Sequence, residues 1–208
     1  ARKAQVGDSA AIPEMEAWAR RALQLDGRSS QAWGALSYAE LRRQGGSRRT
    51  AFDFALKAAF FGPQDALAQT NLGGMLMGSS CVSAIEAFSE ASRLDPLYLN
   101  ASVSAAVVLD LLGRRAEALA STDQVLRLEP DAPAAVLNKA KWLTGPAGAR
   151  EQTETLKRLE GMVAQNRLNQ RWLAFVKDLV AIERGEAVAS QTALDRVLKV
   201  AGGESRFP

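Results

Sequence analysis

The sequence contains no histidine and a single cysteine, Cys81. Without histidine the chain lacks the commonest general base, proton shuttle and zinc ligand of proteins. One cysteine excludes an internal disulfide framework and any metal cage built from several thiolates. We therefore predict no catalytic residue, no metal site, no cofactor and no small-molecule substrate. Cys81 is interpreted as a small residue near a helix start.

Long apolar runs are also missing. The longest, from Val103 to Leu112, is interrupted by Ser104 and Asp110, so it falls short of the roughly 18 unbroken apolar residues of a membrane-spanning helix. The first residues do not read as a signal peptide, because no apolar segment follows Arg2. These absences predict a chain that does not insert into membranes and resides in the cytoplasm.

The formal net charge is only +3, but it is unevenly spread: residues 1–50 carry nine Lys or Arg against five Asp or Glu, whereas residues 51–100 carry two against five. The excess consists mostly of arginine pairs, such as Arg42 with Arg43 and Arg48 with Arg49. Nucleic-acid binding would need such a patch joined to stacking aromatic residues or a recognition helix, and the sequence offers neither. We interpret the arginines as solvated helix edges and do not expect a nucleic-acid partner.

A repeat of 33 or 34 residues runs through the chain and is marked by Pro63, Pro96 and Pro130. Small or apolar residues stand twelve and five residues before each proline: Ala51, Ala84 and Ala118, then Ala58, Ala91 and Val125. Two antiparallel helices approach closely only where side chains are small. Proline has no N–H to lose in the first turn of a helix, and its fixed φ suits that place. The pattern predicts helix pairs, with each proline at the start of a first helix.

Apolar periodicity predicts eleven helices and no sheet. A lone second helix comes first, paired helices follow, and two further helices close the chain: 13–26; 30–43 with 47–61; 64–77 with 80–94; 97–112 with 114–128; 131–144 with 149–165; 168–184; and 187–201.

These residues together resemble the tetratricopeptide repeat (TPR), a 34-residue helix pair. The matching positions lie in first helices at Trp33, Leu36, Leu72 and Gly73, and in second helices at Ala84, Phe88 and Ala91. The resemblance covers residues 13–145 and continues over 146–208 as a divergent helical rhythm. It implies an all-α fold, a right-handed α-solenoid of antiparallel helix pairs that forms a single domain over residues 1–208.

In this family the first helix of each pair lines a concave groove that holds peptides or partner helices. The resemblance places the following residues in the groove: Gln31, Tyr38, Leu67, Thr70, Asn71, Met77, Asn100, Val103, Ser104, Val107, Leu137, Asn138 and Lys141. Asn71 and Asn138 stand where a family asparagine commonly grips the backbone of a bound peptide. For Leu67 and Val107 the alternative is packing against the next repeat.

Three competing interpretations concern single motifs. The segment from Gly73 to Gly78 is rich in glycine, but it lacks the preceding strand and the Lys-Ser/Thr ending of a phosphate loop. A clamp for C-terminal carboxylates is excluded because, of its matching places, only Asn71 conforms and the cations are missing. The four tryptophans, including Trp18, are expected in the core, whereas Phe60 and Phe61 at a helix end form a candidate exposed anchor.

The function predicted from these features is a non-catalytic scaffold that binds a protein or peptide in its groove. Similar arrays occur in bacterial signalling kinases, regulators and secretion components. The alternative is a regulatory helical-repeat segment of a larger multidomain enzyme or signalling protein. Repeats are stable only when stacked, so we also expect flanking helices in the natural protein or, failing them, self-association through the open ends.

Overall fold

The computed structural model of the chain describes residues 11–143 and 145–185, and none of them lies in a strand. The described residues form ten helices: α1 (Ala11–Leu25), α2 (Ser30–Arg42), α3 (Arg48–Phe61), α4 (Ala66–Leu76), α5 (Cys81–Leu94), α6 (Leu99–Leu111), α7 (Arg115–Leu128), α8 (Pro133–Trp142), α9 (Gly145–Ala164) and α10 (Gln170–Glu183).

Ten of the predicted helices are confirmed, and the eleventh, over 187–201, lies outside the described residues. The largest boundary difference is at α9, which begins at Gly145 instead of residue 149. Proline is tolerated in the first turn of a helix, because the N–H that it lacks has no intrahelical partner there.

The marker prolines open turns rather than helices, which corrects the prediction. Each marker proline is the second residue of a four-residue turn. In each turn the carbonyl of the first residue accepts a hydrogen bond from the backbone N–H of the fourth, at 3.0–3.1 Å; the prolines are Pro63, Pro96 and Pro130. The next helix begins three residues after each proline. The fixed φ of proline suits the second position of such a turn as well as it suits a helix start. The predicted first helices therefore begin two residues too early.

Contacts divide the chain into two compact units, with the boundary between Arg114 and Arg115. In unit 1 each of helices α1 to α5 packs on the next, and α4, the first helix of the middle pair, also contacts the first helices α2 and α6. The second helices supply the small residues of the core. Five alanines are fully buried at these approaches: Ala51, Ala55, Ala58, Ala84 and Ala91.

Unit 2 packs α8 against α7, α9 and α10 around larger apolar side chains. Val136, Leu159 and Val176 are fully buried in one cluster. Trp142 is 1% exposed, as the prediction of a core tryptophan requires. The prediction of a single repeat domain over 1–208 stays a prediction.

Trp18 is not a core residue, contrary to the sequence-based expectation, because 65% of it is exposed. It lies on the side of α1 that faces away from α2, where no described helix covers it. Phe60 is 77% exposed at the end of α3, which confirms the expectation of an exposed aromatic there. Among the described residues, no helix combines the length and apolarity needed to cross a bilayer. The cytoplasmic location stays a prediction.

Candidate partner-binding face

The first helices of unit 1 present aligned side chains because α2, α4 and α6 repeat the same spacing. On each helix the residues at i, i+3, i+4 and i+7 share one side. We call the shared surface the first-helix face; its members are Gln31, Tyr38 and Leu41 on α2, Leu67, Thr70, Asn71, Gly74 and Met77 on α4 and its C-terminal cap, and Asn100, Val103, Ser104, Val107 and Leu111 on α6. All of them are exposed or half-buried. The predicted groove residues of unit 1 therefore lie together on accessible surface.

The middle of this face has no side chain. The same repeat place is held by Tyr38 on α2, by Gly74 on α4 and by Val107 on α6. A Cβ atom built on Gly74 would meet no heavy atom within 4 Å apart from its chain neighbours and the backbone of its own helix. A partner side chain can therefore approach the backbone of α4 between Tyr38 and Val107. The repeat pattern did not identify Gly74 as part of the site, because its signal is a missing side chain.

Asn71 combines a fixed position with a free amide. The side chain of Asn71 rests against α2 at Gly34, which has no side chain of its own. A Cβ atom built on Gly34 would lie only 3.2 Å from the Asn71 Nδ2 atom. Asn71 is half-buried and makes no hydrogen bond to any other residue that the structure describes. A half-buried amide without a partner is costly unless a ligand or water satisfies it. Its donor and acceptor are available to the backbone of a bound segment.

Other members of the face are partly engaged within the chain. The Thr70 hydroxyl donates to the Ala66 carbonyl at 2.8 Å, so only its acceptor capacity remains. Met77 packs against the buried cluster that contains Phe88, so this side chain is partly core. The guanidinium of Arg42 lies 5.1 Å from the Tyr38 ring centre, which holds the ring at the border of the face.

Besides Gly74, two members of the face were not predicted from the sequence. Leu41 is 42% exposed and Leu111 is 60% exposed. Both lie one turn beyond predicted residues, near the C-terminal ends of α2 and α6. Leu67, for which packing on the next repeat was the alternative, is 45% exposed. The face is therefore more apolar than the predicted set.

In unit 2 the predicted groove residues on α8 behave differently. Leu137 is 8% exposed and belongs to the core cluster, so it is not a groove residue. Asn138 is 7% exposed and forms no hydrogen bond with another described residue, although its amide is not sealed from solvent. Lys141 is half-buried, and its Nζ lies 4.9 Å from the Trp142 ring centre. Asn138 thus resembles Asn71 in having an unused amide.

The neighbouring Lys139 was not predicted at all, yet it is the most engaged cation of unit 2. Its Nζ donates to Asp123 of α7 and lies 2.6 Å from both Asp123 and Glu151 of α9. Burial lowers the pKa of Lys139, but the two carboxylates outweigh it and hold the pKa above its ordinary value. Only folding brings these three residues together, so no local pattern could reveal them.

The part of the chain that the structure describes offers little for metal or phosphate binding. No group of three acidic or cysteine side chains there could hold a metal ion. Gly73 and Gly74 lie inside α4, which follows a turn and not a strand, so this segment is not a phosphate loop. Cys81 is the first residue of α5, as predicted, and it is half-buried.

No protein-family model matches the sequence, and none of the curated proteins matches it. Solved structures do resemble it. PilW, a widely conserved type IV pilus biogenesis factor, is 18% identical with a TM-score of 0.71, over 94% of this chain and 88% of that chain. Pseudomonas aeruginosa pilF is 19% identical with a TM-score of 0.65, over 93% and 86%. YrrB, a TPR protein with an unusual peptide-binding site, is 14% identical with a TM-score of 0.55, over 89% and 93%.

These likenesses lie below 20% identity, so they show the fold alone. The chain has the helical-repeat fold of TPR proteins, as the sequence resemblance implied.

Proposed function

We propose that the chain is a non-catalytic scaffold and that its first-helix face binds an extended or helical segment of a partner protein. The observation that carries the proposal is the open place above Gly74, between Tyr38 and Val107. A ligand side chain seated there would reach the α4 backbone, with the free Asn71 amide on the same helix face. Few rearrangements are required, because the helices that hold these residues are already packed.

The chemistry of the face favours an uncharged, apolar partner segment. Tyr38 is the only ionisable residue among its thirteen members, and one charge of each sign, Arg42 and Asp110, stands at the places equivalent to Leu111 and Leu41 near the C-terminal ends of the helices. Exposed apolar patches of this kind mark interaction sites. Apolar contacts would supply most of the affinity, and Asn71 would fix the register of the segment by pairing with its backbone. This arrangement does not suit phosphate groups, so nucleic acid remains a poor partner.

Structural neighbours support a binding role without specifying the ligand. YrrB is a TPR protein with a peptide-binding site, so the fold is used for peptide binding in at least one neighbour. Asn138 and Lys141 on α8 are proposed as a separate contact point on unit 2. There the amide would again pair with backbone, and Lys141 would favour an acidic residue nearby.

A phage-displayed library of random 12-residue peptides, selected on the immobilised chain, supplies a defined probe. We expect selected peptides to carry a central apolar side chain and few charges. Their affinity should fall by roughly tenfold or more in Gly74→Leu, because the new side chain fills the open place. Asn71→Ala should weaken binding by about 1 kcal/mol, the net contribution of one hydrogen bond. Asn138→Ala tests the contact point on unit 2 in the same way.

Phe60→Ala is the matched control, since it removes an exposed aromatic residue on a second helix, outside the first-helix face. Selected peptides should bind it as they bind the unchanged chain. The proposal is wrong if the peptides tolerate Gly74→Leu and Asn71→Ala but are lost from Phe60→Ala. Arg48 is unsuitable as a control, because its guanidinium occupies the space beside Gly78 and supports the end of α4. The regulatory segment of a larger enzyme stays the alternative prediction.

A further inference from the structure

A second candidate interface lies on α1, outside the first-helix face. Glu14, Trp18, Arg21 and Leu25 are spaced so that they form one stripe along this helix. All four are exposed, Trp18 by 65% and Leu25 by 85%. The helix packs on α2 through another side, which includes the buried Ala19. Tryptophan is the residue most enriched among the anchors of protein interfaces, so its exposure here needs an explanation.

The repeat register indicates what this stripe is built to contact. The places on α3 that are equivalent to Trp18 and Arg21 are held by Phe54 and Lys57. On α3 both of these side chains lie against the first helix of their own pair. The Phe54 ring is 5.6 Å from the Trp33 ring, and the Lys57 Nζ is 4.4 Å from it. The α1 stripe is therefore a helix-packing surface, and no helix of the described residues covers it.

Opposite charges flank the tryptophan on this stripe. Glu14 lies one turn before Trp18 and Arg21 lies one turn after it. Among the residues that the structure describes, neither charge has an ionic partner; Glu14 accepts only a long hydrogen bond of 3.5 Å from the Trp18 Nε1. The two charged residues are separated by about 10 Å along the helix axis. The charge pattern of the stripe is therefore complementary to that of an identical stripe running in the opposite direction.

We propose that a second copy of this chain covers the stripe, with the two α1 helices antiparallel about a two-fold axis beside Trp18. A pairing centred midway between Glu14 and Arg21 places Glu14 of each copy opposite Arg21 of the other, because the two-fold operation exchanges them. Trp18 of the two copies then packs beside the axis. Leu25 covers the start of the opposing α1. One surface serves both copies, so the assembly closes as a dimer.

Sedimentation equilibrium of the full chain over a range of concentrations tests the proposal. We expect a reversible monomer–dimer equilibrium, because a single helix stripe is a small interface. Trp18→Ala should raise the dissociation constant by roughly tenfold or more. Phe60→Ala, which removes an even more exposed aromatic side chain, should leave the dissociation constant unchanged and so exclude general stickiness.

Charge exchange tests the antiparallel pairing itself. Glu14→Arg and Arg21→Glu should each abolish the dimer, since each places two like-charged pairs across the axis. An equimolar mixture of the two variants should form a one-to-one heterodimer, and both changes in one chain should restore the homodimer. All of the substituted residues are exposed, so the variants and the unchanged chain should share one melting temperature at concentrations where the unchanged chain is monomeric, which shows that each variant is folded.

A chain that stays monomeric at every concentration would overturn the proposal and would leave another segment of the chain as the cover of α1. A dimer that tolerates Trp18→Ala would overturn it too. Failure of the mixture and of the double variant to restore the dimer would contradict the two-fold pairing.

Discussion

The two units hold their helices together in different ways. In unit 1 the closest approaches between helices are made by alanines such as Ala51, Ala84 and Ala91, each fully buried. In unit 2 the place of Ala51 and Ala84 is kept as Ala118, whereas the place of Ala91 carries the larger Val125, so the small-residue contact is only partly kept. Larger residues at a helix approach separate the backbones, and other interactions must then fix the helices.

Polar bridges between helices take that role in unit 2. Lys139 of α8 joins α7 to α9 through Asp123 and Glu151. The buried Gln152 of α9 donates to the Ala140 and Leu143 carbonyls at the end of α8 and accepts from Arg184 after α10. Unit 1 also has hydrogen bonds between its helices, but they come from serine hydroxyls: Ser37 donates to the Ala51 carbonyl at 2.8 Å and Ser30 donates to the Asp65 carboxylate at 2.9 Å. The two units therefore differ in the side chains that join their helices, and the apolar candidate face lies in the unit with the alanine contacts.

The strongest way to break unit 1 is to place a charge at an alanine approach. Ala91→Arg should destabilise the protein by about 3 kcal/mol or more, because the guanidinium would be overpacked and buried without a partner. Urea denaturation followed by circular dichroism measures the loss. Ala120→Arg, on an exposed position of α7, should change stability by less than about 0.5 kcal/mol. Equal stability of the two variants would show that the repeat register is wrong.

Two adjacent glycines of α4, Gly73 and Gly74, allow a packed position to be compared directly with one on open surface. A Cβ atom on Gly73 would lie 2.7 Å from the Phe88 ring, whereas on Gly74 it meets nothing. Gly73→Ala should therefore cost about 1–3 kcal/mol through overpacking. Gly74→Ala should stabilise the chain by about 0.5–1 kcal/mol, because alanine is the better helix former. Thermal unfolding separates the two, and a loss of stability at Gly74 would place a neighbour where the face is open.

The polar bridges of unit 2 are tested by removing their central cation. Lys139→Met keeps the aliphatic stem but leaves Asp123 and Glu151 facing each other, so we expect a loss of about 1–2 kcal/mol. The loss should shrink in 1 M salt, where repulsion between the half-exposed carboxylates is screened. Lys157→Met, on an exposed position of the same unit, should be nearly neutral. A neutral Lys139→Met would show that unit 2 does not depend on this bridge.

The smallest expected effect concerns the turn between α2 and α3, which is bridged by the buried carboxylate of Glu40. The Glu40 carboxylate accepts from the Ser47 backbone N–H at 2.8 Å and from the Arg43 guanidinium, and these contacts lower the pKa of Glu40. A lowered folded-state pKa adds stability above the unfolded value of about 4.3, and this stability is lost as pH falls through the folded-state pKa. Between pH 6 and pH 3 the unchanged chain should lose more stability than Glu40→Gln. Parallel losses would mean that this carboxylate does not matter.

The sequence predicted what the repeat period encodes. Small residues recurring at one spacing located the second helices and their buried alanines, and the same register located the first-helix face. It could not identify Gly74, whose contribution is empty space, or Lys139, whose partners are 12 and 16 residues away on other helices. Leu137 was misplaced because the transferred register does not say that α10 packs on α8. Trp18 was misplaced because the expectation of burial assumes a helix that covers it.

The proposed binding function requires that a bound segment lies across the first-helix face at Gly74. A photo-crosslinking residue, p-benzoyl-phenylalanine, placed at Tyr38 or at Val107 borders that site on either side, and the same residue placed at Phe60 lies outside it. After irradiation with a selected peptide, mass spectrometry should find the peptide attached at positions 38 and 107 and not at position 60. Attachment at position 60 alone would contradict the account and would move the binding site to the second helices.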